Sequence, residues 1–256
     1  MVPQLGKETH LDYLVTNRHV AMCWDDDNRP MVVKSISLRL NKKDGSSNDL
    51  SLDQHGNIQW YFPADDSVDL AVTPITIGND FEDLRIPLDN FATKEFLSAN
   101  RIAEGAQIIL SGYFYQFPGE HRFQPIVRQG ILSMIPDEAV ITTTGKRGTI
   151  YLGDVHIFHG NSGSPVLVSA ADGVLHVGEY HFLGVVSGYY YEDQDFNLKI
   201  ARAVKSKTAK GTMHSNSGVA MIVPADALKD LLENDADLKR LRDAVLPKDN
   251  AGQAAK

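Results

Sequence analysis

The sequence has little that would staple, anchor or charge it. Cys23 is the only cysteine in 256 residues, so no intrachain disulfide can form and the fold must stand on its packing. No stretch approaches the roughly 18 to 20 apolar residues of a membrane span. The first twenty residues lack the apolar core of a signal peptide, so the sequence as it stands points to a cytoplasmic protein, and to an exported one only if the true start lies upstream. Positive charge is scarce too: 25 Lys and Arg face 33 Asp and Glu, a formal net charge of −8. Nucleic acid is thereby excluded as the main partner, because phosphate binding requires a clustered positive field. The one basic run, Lys205 to Lys210, is expected to be a solvated loop.

What is present is a globular composition, 43% hydrophobic, distributed in many short apolar runs separated by turn residues. Within it, Gly160-Asn161-Ser162-Gly163-Ser164-Pro165 places a serine among glycines, flanked by apolar, strand-like residues. Such a setting bares a hydroxyl and the neighbouring N–H groups. A serine is a poor nucleophile near neutral pH unless a histidine takes its proton and a carboxylate orients that histidine. Both candidates exist. His19 ends the run Tyr13-Leu14-Val15-Thr16-Asn17-Arg18-His19, and Asp69 opens the run Asp69-Leu70-Ala71-Val72. Taken singly, each has an ordinary structural use, as a turn serine, a strand-end histidine and a capping acid; the three together carry the inference. Asp65 and Asp66 are rival acids, but they sit in a polar stretch.

In the order His, Asp, Ser, the motifs Thr-Asn-Arg-His-Val, Asp-Leu-Ala-Val and Gly-Asn-Ser-Gly-Ser-Pro resemble those of trypsin-fold (chymotrypsin-like) serine proteases, most of all the bacterial group that includes the high-temperature-requirement proteases. Asp69 follows His19 by 50 residues and Ser162 follows Asp69 by 93, which suits a base and acid on one barrel and a nucleophile on a second. The resemblance runs from about Leu11 to Leu232. It implies a serine endopeptidase acting on protein or peptide without cofactor, with His19, Asp69 and Ser162 as the triad and the Gly160 and Ser162 N–H groups as the oxyanion hole. It also implies a substrate pocket walled by Ile157, His159, Ser187, Gly188, Tyr189, Gly218 and Ala220. None of these is a carboxylate, so small or medium aliphatic side chains are expected there, with Tyr189 narrowing the opening. Asn161 carries no charge with which to pair a freed N-terminus, so the oxyanion loop must be ordered in another way, or ordered only with substrate.

The implied fold is all-β: two six-stranded-type antiparallel barrels with a C-terminal helix. Residues 1–95 would form an N-terminal barrel carrying His19 and Asp69, 96–225 a C-terminal barrel carrying the nucleophile, and 226–256 a helical segment and tail. Met1 to Thr9 shows no strand pattern, so the first barrel is expected to be one strand short unless the true start lies upstream. Met31 to Leu40 reads as one half-buried strand, with Ile36, Leu38 and Leu40 on one face. Hairpins are expected across Gln54 to Asn57, across Gly145 to Gly148 between Val140–Thr144 and Thr149–Leu152, and across Asp172-Gly173 between Val166–Val168 and Val174–Val177. Residues 89–103 read as the connection between barrels. From Ala225 the apolar period becomes helical, with Asp226 as a cap and a second helical segment after Asn234. Pro247 to Lys256 is expected to be a disordered tail, with no further domain after it.

Three rival chemistries are weaker. A Gly-x-Ser-x-Gly elbow fails because its fifth position is Ser164 and because α/β-hydrolases place the histidine after the serine. His156 and His159 lack both helical face-sharing and a third ligand, so no metal site is expected. Cys23 lacks the glycine setting of Ser162 and is expected to be a small buried hydrophobe. Two other functions stay open: a catalytically impaired peptide-binding module, should the missing strand loosen the His19 platform, and a serine esterase sharing the same triad.

Overall fold

The structure, a computed structural model, describes residues 11–24, 27, 29–52, 58–170, 179–202 and 205–245, with backbone alone at 24, 193–202, 205–210, 213 and 214. Gln54 to Asn57, Asp172 to Val177 and the Pro247 to Lys256 tail lie outside the described residues.

The β-branched and aromatic run Asp12–Thr16 (β1) pairs antiparallel with Ala71–Ile75 (β6), Thr16 opposite Ala71 and Asp12 opposite Ile75. Between them in sequence, Met22–Trp24 (β2) pairs with Pro30–Val32 (β3), and Ser37–Asn41 (β4) with Ser47–Ser51 (β5). Tyr61 bridges to Val72 and Lys42 to Phe81. Among the described residues these strands form three two-stranded sheets, and one closed barrel is present where two were expected. Ile36, Leu38 and Leu40 do share the half-buried face, but the expected Met31–Leu40 strand is broken between Val32 and Ser37. Leu50 pairs back with Leu38 across the Lys42–Ser46 turn and not with Ile58, whose N–H bonds the Lys34 carbonyl instead. Cys23 is exposed, not buried; it lies on β2, which among the described residues pairs only with β3 in a two-stranded sheet.

The closed barrel follows a 3₁₀ turn at Leu88–Asn90 and a short helix, Lys94–Ala99 (α2), within the expected connection. Its strands are Gln107–Gly112 (β7), Ile126–Met134 (β8), Tyr151–Asp154 (β11), Pro165–Ser169 (β12), Tyr180–Arg202 (β13) and Lys205–Pro224 (β14), in the order β11-β14-β13-β12-β7-β8; a small hairpin of Val140–Ile141 (β9) and Arg147–Gly148 (β10) stands outside it. Alternation aims Ile108, Leu110, Leu132, Val166, Val168, Leu183 and Ile222 into the lumen, all fully buried. Each such side chain contributes roughly 1.5–3 kcal/mol by leaving water.

One more expected hairpin and one expected loop change. The turn after β9 is Thr142–Lys146, and Tyr151 onward pairs with β14 and β8, because the barrel competes for that strand. The run Lys205 to Lys210 is strand, not loop: β13 and β14 stay paired as far as Arg202 opposite Lys205. Two helices close the described chain, Ala225–Asn234 (α3) and Ala236–Val245 (α4). Leu228, Leu231, Leu232 and Leu238 pack with Val185, Met221 and Val223 of the barrel and with Leu70 and Val72, so one cluster joins the two halves. Asp226 caps, but not its own helix; its carboxylate accepts the Lys94 N–H at the start of α2.

Candidate active site

The β1–β6 register decides where His19 and Asp69 meet. Thr16 faces Ala71, so His19 and Asp69 both lie just past the same end of the ladder. Asn17, fully buried, turns the chain there: its backbone is extended, its carbonyl accepts the Val20 and Ala21 N–H groups, and its side chain donates to the Asp69 carbonyl at 2.8 Å. The short helix Arg18–Ala21 (α1) then presents His19 edge-on to the acid. The His19 N–H donates to Asp69 Oδ1 at 3.0 Å, and its ring Nδ1 lies 2.7 Å from Asp69 Oδ2. An acceptor on Nδ1 fixes the neutral tautomer with the proton there, which leaves Nε2 as the acceptor toward Ser162 Oγ at 3.0 Å.

Asp69 is 2% exposed. Burial alone would push its carboxyl up, but hydrogen bonds from His19 and Ser187 outweigh it and hold the group below the usual carboxylate range. Ser187 Oγ donates to Asp69 Oδ2 at 2.6 Å, and Thr143 Oγ1 stands 3.3 Å from the same oxygen. The rival acids are occupied locally. Asp65 accepts the Ser67 N–H, and Asp66 pairs with Lys146.

The serine loop is held from within. Gly160 and Gly163 take φ of +90° and +84°, which a side chain would resist. A Cβ on Gly163 would also press on Thr16 of β1. Asn161, 1% exposed, accepts the Phe158 N–H at 2.8 Å and donates to the Tyr113 carbonyl at 2.7 Å. That amide is the ordering device which the absent charge left unassigned. Gly163 N–H bonds the Val186 carbonyl and Val186 N–H the Ser164 carbonyl, fastening the loop to β13 immediately before Ser187. Among the described residues, the N–H groups of Gly160 and Ser162 have no partner.

A cleft of about 450 Å³ opens beside Ser162, and Ile157, His159, Ser187, Gly188 and Tyr189 line it with Tyr190 and Met221. Gly218 and Ala220 do not. In that stretch β14 is paired with β11, so Ala220 turns into the barrel core. Among the described residues no Asp, Glu, Lys or Arg lines the cleft. The Tyr189 hydroxyl lies 3.2 Å from His159 Nε2, and burial, with the neighbouring Tyr191, pushes its pKa up to about 12. His156 packs edge-on against Phe158, so the two histidines serve different neighbours. Thr143 carries no signal in sequence, since a threonine in a turn does not show which distant carboxylate it will meet; Asn17 stands in the histidine motif, but nothing there shows that its amide will meet the Asp69 backbone carbonyl.

No protein-family model matches the chain, and no curated protein does. Among solved structures it is similar to a variant of the HtrA-type protease AlgW with a tripeptide, at 15% identity over 87% of this chain and 52% of that one, TM-score 0.45. It is similar also to AlgW with a decapeptide, at 18% identity over 87% and 49%, TM-score 0.44. A third, Deg5, is 19% identical over 71% and 70%, TM-score 0.43. The chain spans about half the length of the two AlgW chains.

Proposed function

We propose that the chain is a serine endopeptidase. One observation carries the reading: Asp69, His19 and Ser162 form an unbroken line of contacts at 2.7 and 3.0 Å in the order base chemistry requires. As Ser162 Oγ bonds to a peptide carbonyl carbon, His19 Nε2 takes the hydroxyl proton, and Asp69 stabilises the imidazolium. The carbonyl electrons move onto oxygen, and the Gly160 and Ser162 N–H groups donate hydrogen bonds to that oxyanion. Collapse of the intermediate breaks the C–N bond, His19 returns its proton to the leaving amine, and water repeats the sequence on the acyl-enzyme. Among the described residues no Asp, Glu, Lys or Arg lines the cleft, which favours a small or medium aliphatic side chain before the cut. The two-barrel division, 1–95 with the acid and base and 96–225 with the nucleophile, belongs to the same proposal.

The test is labelling of the purified chain by a fluorophosphonate, with Ser162→Ala as control, followed by matched ester and peptide substrates. Labelling that vanishes in the variant, with peptide cleavage, is expected. Labelling with ester turnover alone would make the chain an esterase. A folded wild type that takes no label would overturn the enzyme and leave a binding module.

A further inference from the structure

We propose that the Thr143 hydroxyl is a positioning group for the triad carboxylate, acting through Ser187; the inference rests on the reading of Asp69, His19 and Ser162 as a triad. Ser187 has one hydroxyl proton, and it goes to Asp69 Oδ2 at 2.6 Å. In the close contact between the Thr143 and Ser187 oxygens, Ser187 can then only accept, so Thr143 is the donor. The result is a directed relay, Thr143 to Ser187 to Asp69, with Thr143 Oγ1 itself 3.3 Å from Oδ2. Oδ2 is also the oxygen that holds His19 Nδ1. Whatever fixes its lone pairs fixes the imidazole, and a carboxylate 2% exposed depends on protein donors for that.

The turn that delivers this hydroxyl is itself fastened to the acid's own loop. Thr142 Oγ1 donates to the Ser67 carbonyl at 2.9 Å, and Lys146 pairs with Asp66. Gly148 lies so close to Ser67 that a Cβ there would overlap the serine side chain. Two bonds and one close approach thus join residues 142–148 to residues 66–67, just before Asp69, and hold Thr143 where a preorganised donor must be.

Thr143 also lines the cleft, so the experiment must separate a hydroxyl from a wall. Thr143→Val keeps the volume and removes the O–H; Thr143→Ser keeps the O–H and trims the methyl. A neutral hydrogen bond of ordinary strength corresponds to a loss of about three- to tenfold. The expected result is that loss in kcat for Thr143→Val with KM unchanged, near wild-type kcat for Thr143→Ser, and no further loss when Thr143→Val is added to Ser187→Ala. Equal losses in both Thr143 variants, a change confined to KM, or an additive loss on Ser187→Ala would overturn the relay. The His19 Nδ1 proton resonance supplies a readout independent of turnover. It should move in Thr143→Val and hold in Thr143→Ser, and an unmoved signal would sink the proposal even if the wild type proved inert; absence of fluorophosphonate labelling, by contrast, counts against the protease reading alone.

Discussion

Asn161 and Tyr113 lie 48 residues apart and are joined by a single hydrogen bond, from the side-chain amide to the backbone carbonyl at 2.7 Å. The other end of the same amide accepts the Phe158 N–H, so this position needs one donor and one acceptor back to back. A carboxylate supplies only acceptors. Asn161→Asp should therefore set oxygen against the Tyr113 carbonyl, and Asn161→Ala should leave two groups unpaired. Each variant is expected to lose about 1–3 kcal/mol of stability and most of its fluorophosphonate labelling. Thermal melts beside labelling rates check this, and an unchanged melt with normal labelling would refute the ordering role.

Replacing Asp69 by Asn should lower kcat on the order of 10⁴-fold while leaving the fold intact, because the amide cannot hold the Nδ1–H tautomer of His19. Steady-state rates on any cleaved peptide, with circular dichroism as the control for folding, decide it. A loss below tenfold would mean that Asp69 is not the orienting acid.

The same substitution changes the response to acid. The folded Asp69 carboxyl lies below its usual range, so its stabilisation is fully present above the unfolded value of about 3.9 and is lost as pH falls through the lower folded value. Asp69→Asn does not titrate. The stability difference between wild type and variant, from denaturant melts, should be greatest near neutral pH and shrink below about pH 4. Subtraction removes the exposed carboxylates shared by both proteins, such as Asp44 and Asp49.

Gly184 faces Pro224 across the β13–β14 ladder, and a Cβ there would overlap the Val223 carbonyl. Backbone cannot swing aside as a side chain can. Gly184→Ala should cost about 1–3 kcal/mol or more, seen as a lowered denaturation midpoint.

Tyr189 and His159 close one side of the cleft. Tyr189→Ala should shift cleavage preference toward bulkier side chains, on the order of tenfold in relative kcat/KM, whereas Tyr189→Phe should change it little. Profiling both variants on one peptide library is the check.

The three residues of the proposed triad could be read in the sequence because each sits in a short pattern that its own neighbours create: a polar residue at the end of an apolar run, or a serine between glycines. Strand partners could not be read in the same way. Leu50 and Ile58 flank residues that look like a turn, yet Leu50 pairs with Leu38, because the Asp44-Gly45 turn brings that strand nearer. Lys205 to Lys210 lacks apolar alternation, so only its long pairing with β13 reveals a strand. Asp226 has the look of a local cap, but Lys94, 132 residues earlier, takes the carboxylate. Cys23 departs from the general habit of cysteine to be buried, because it falls on a two-stranded ribbon outside the barrel. Each of these depends on which distant segment arrives, and composition does not encode that.

His19 and Ser162 stand 143 residues apart, and the strand leading into the serine loop, β11, is flanked by β14, which ends at Pro224. During synthesis at about 5–20 residues per second, His19 and Asp69 emerge well before the serine. The barrel that shapes the serine loop cannot close until Pro224 has followed. A half-made chain therefore carries His19 and Asp69 without Ser162, and the proposed nucleophile takes its place only once the strands on both sides of its loop have been made.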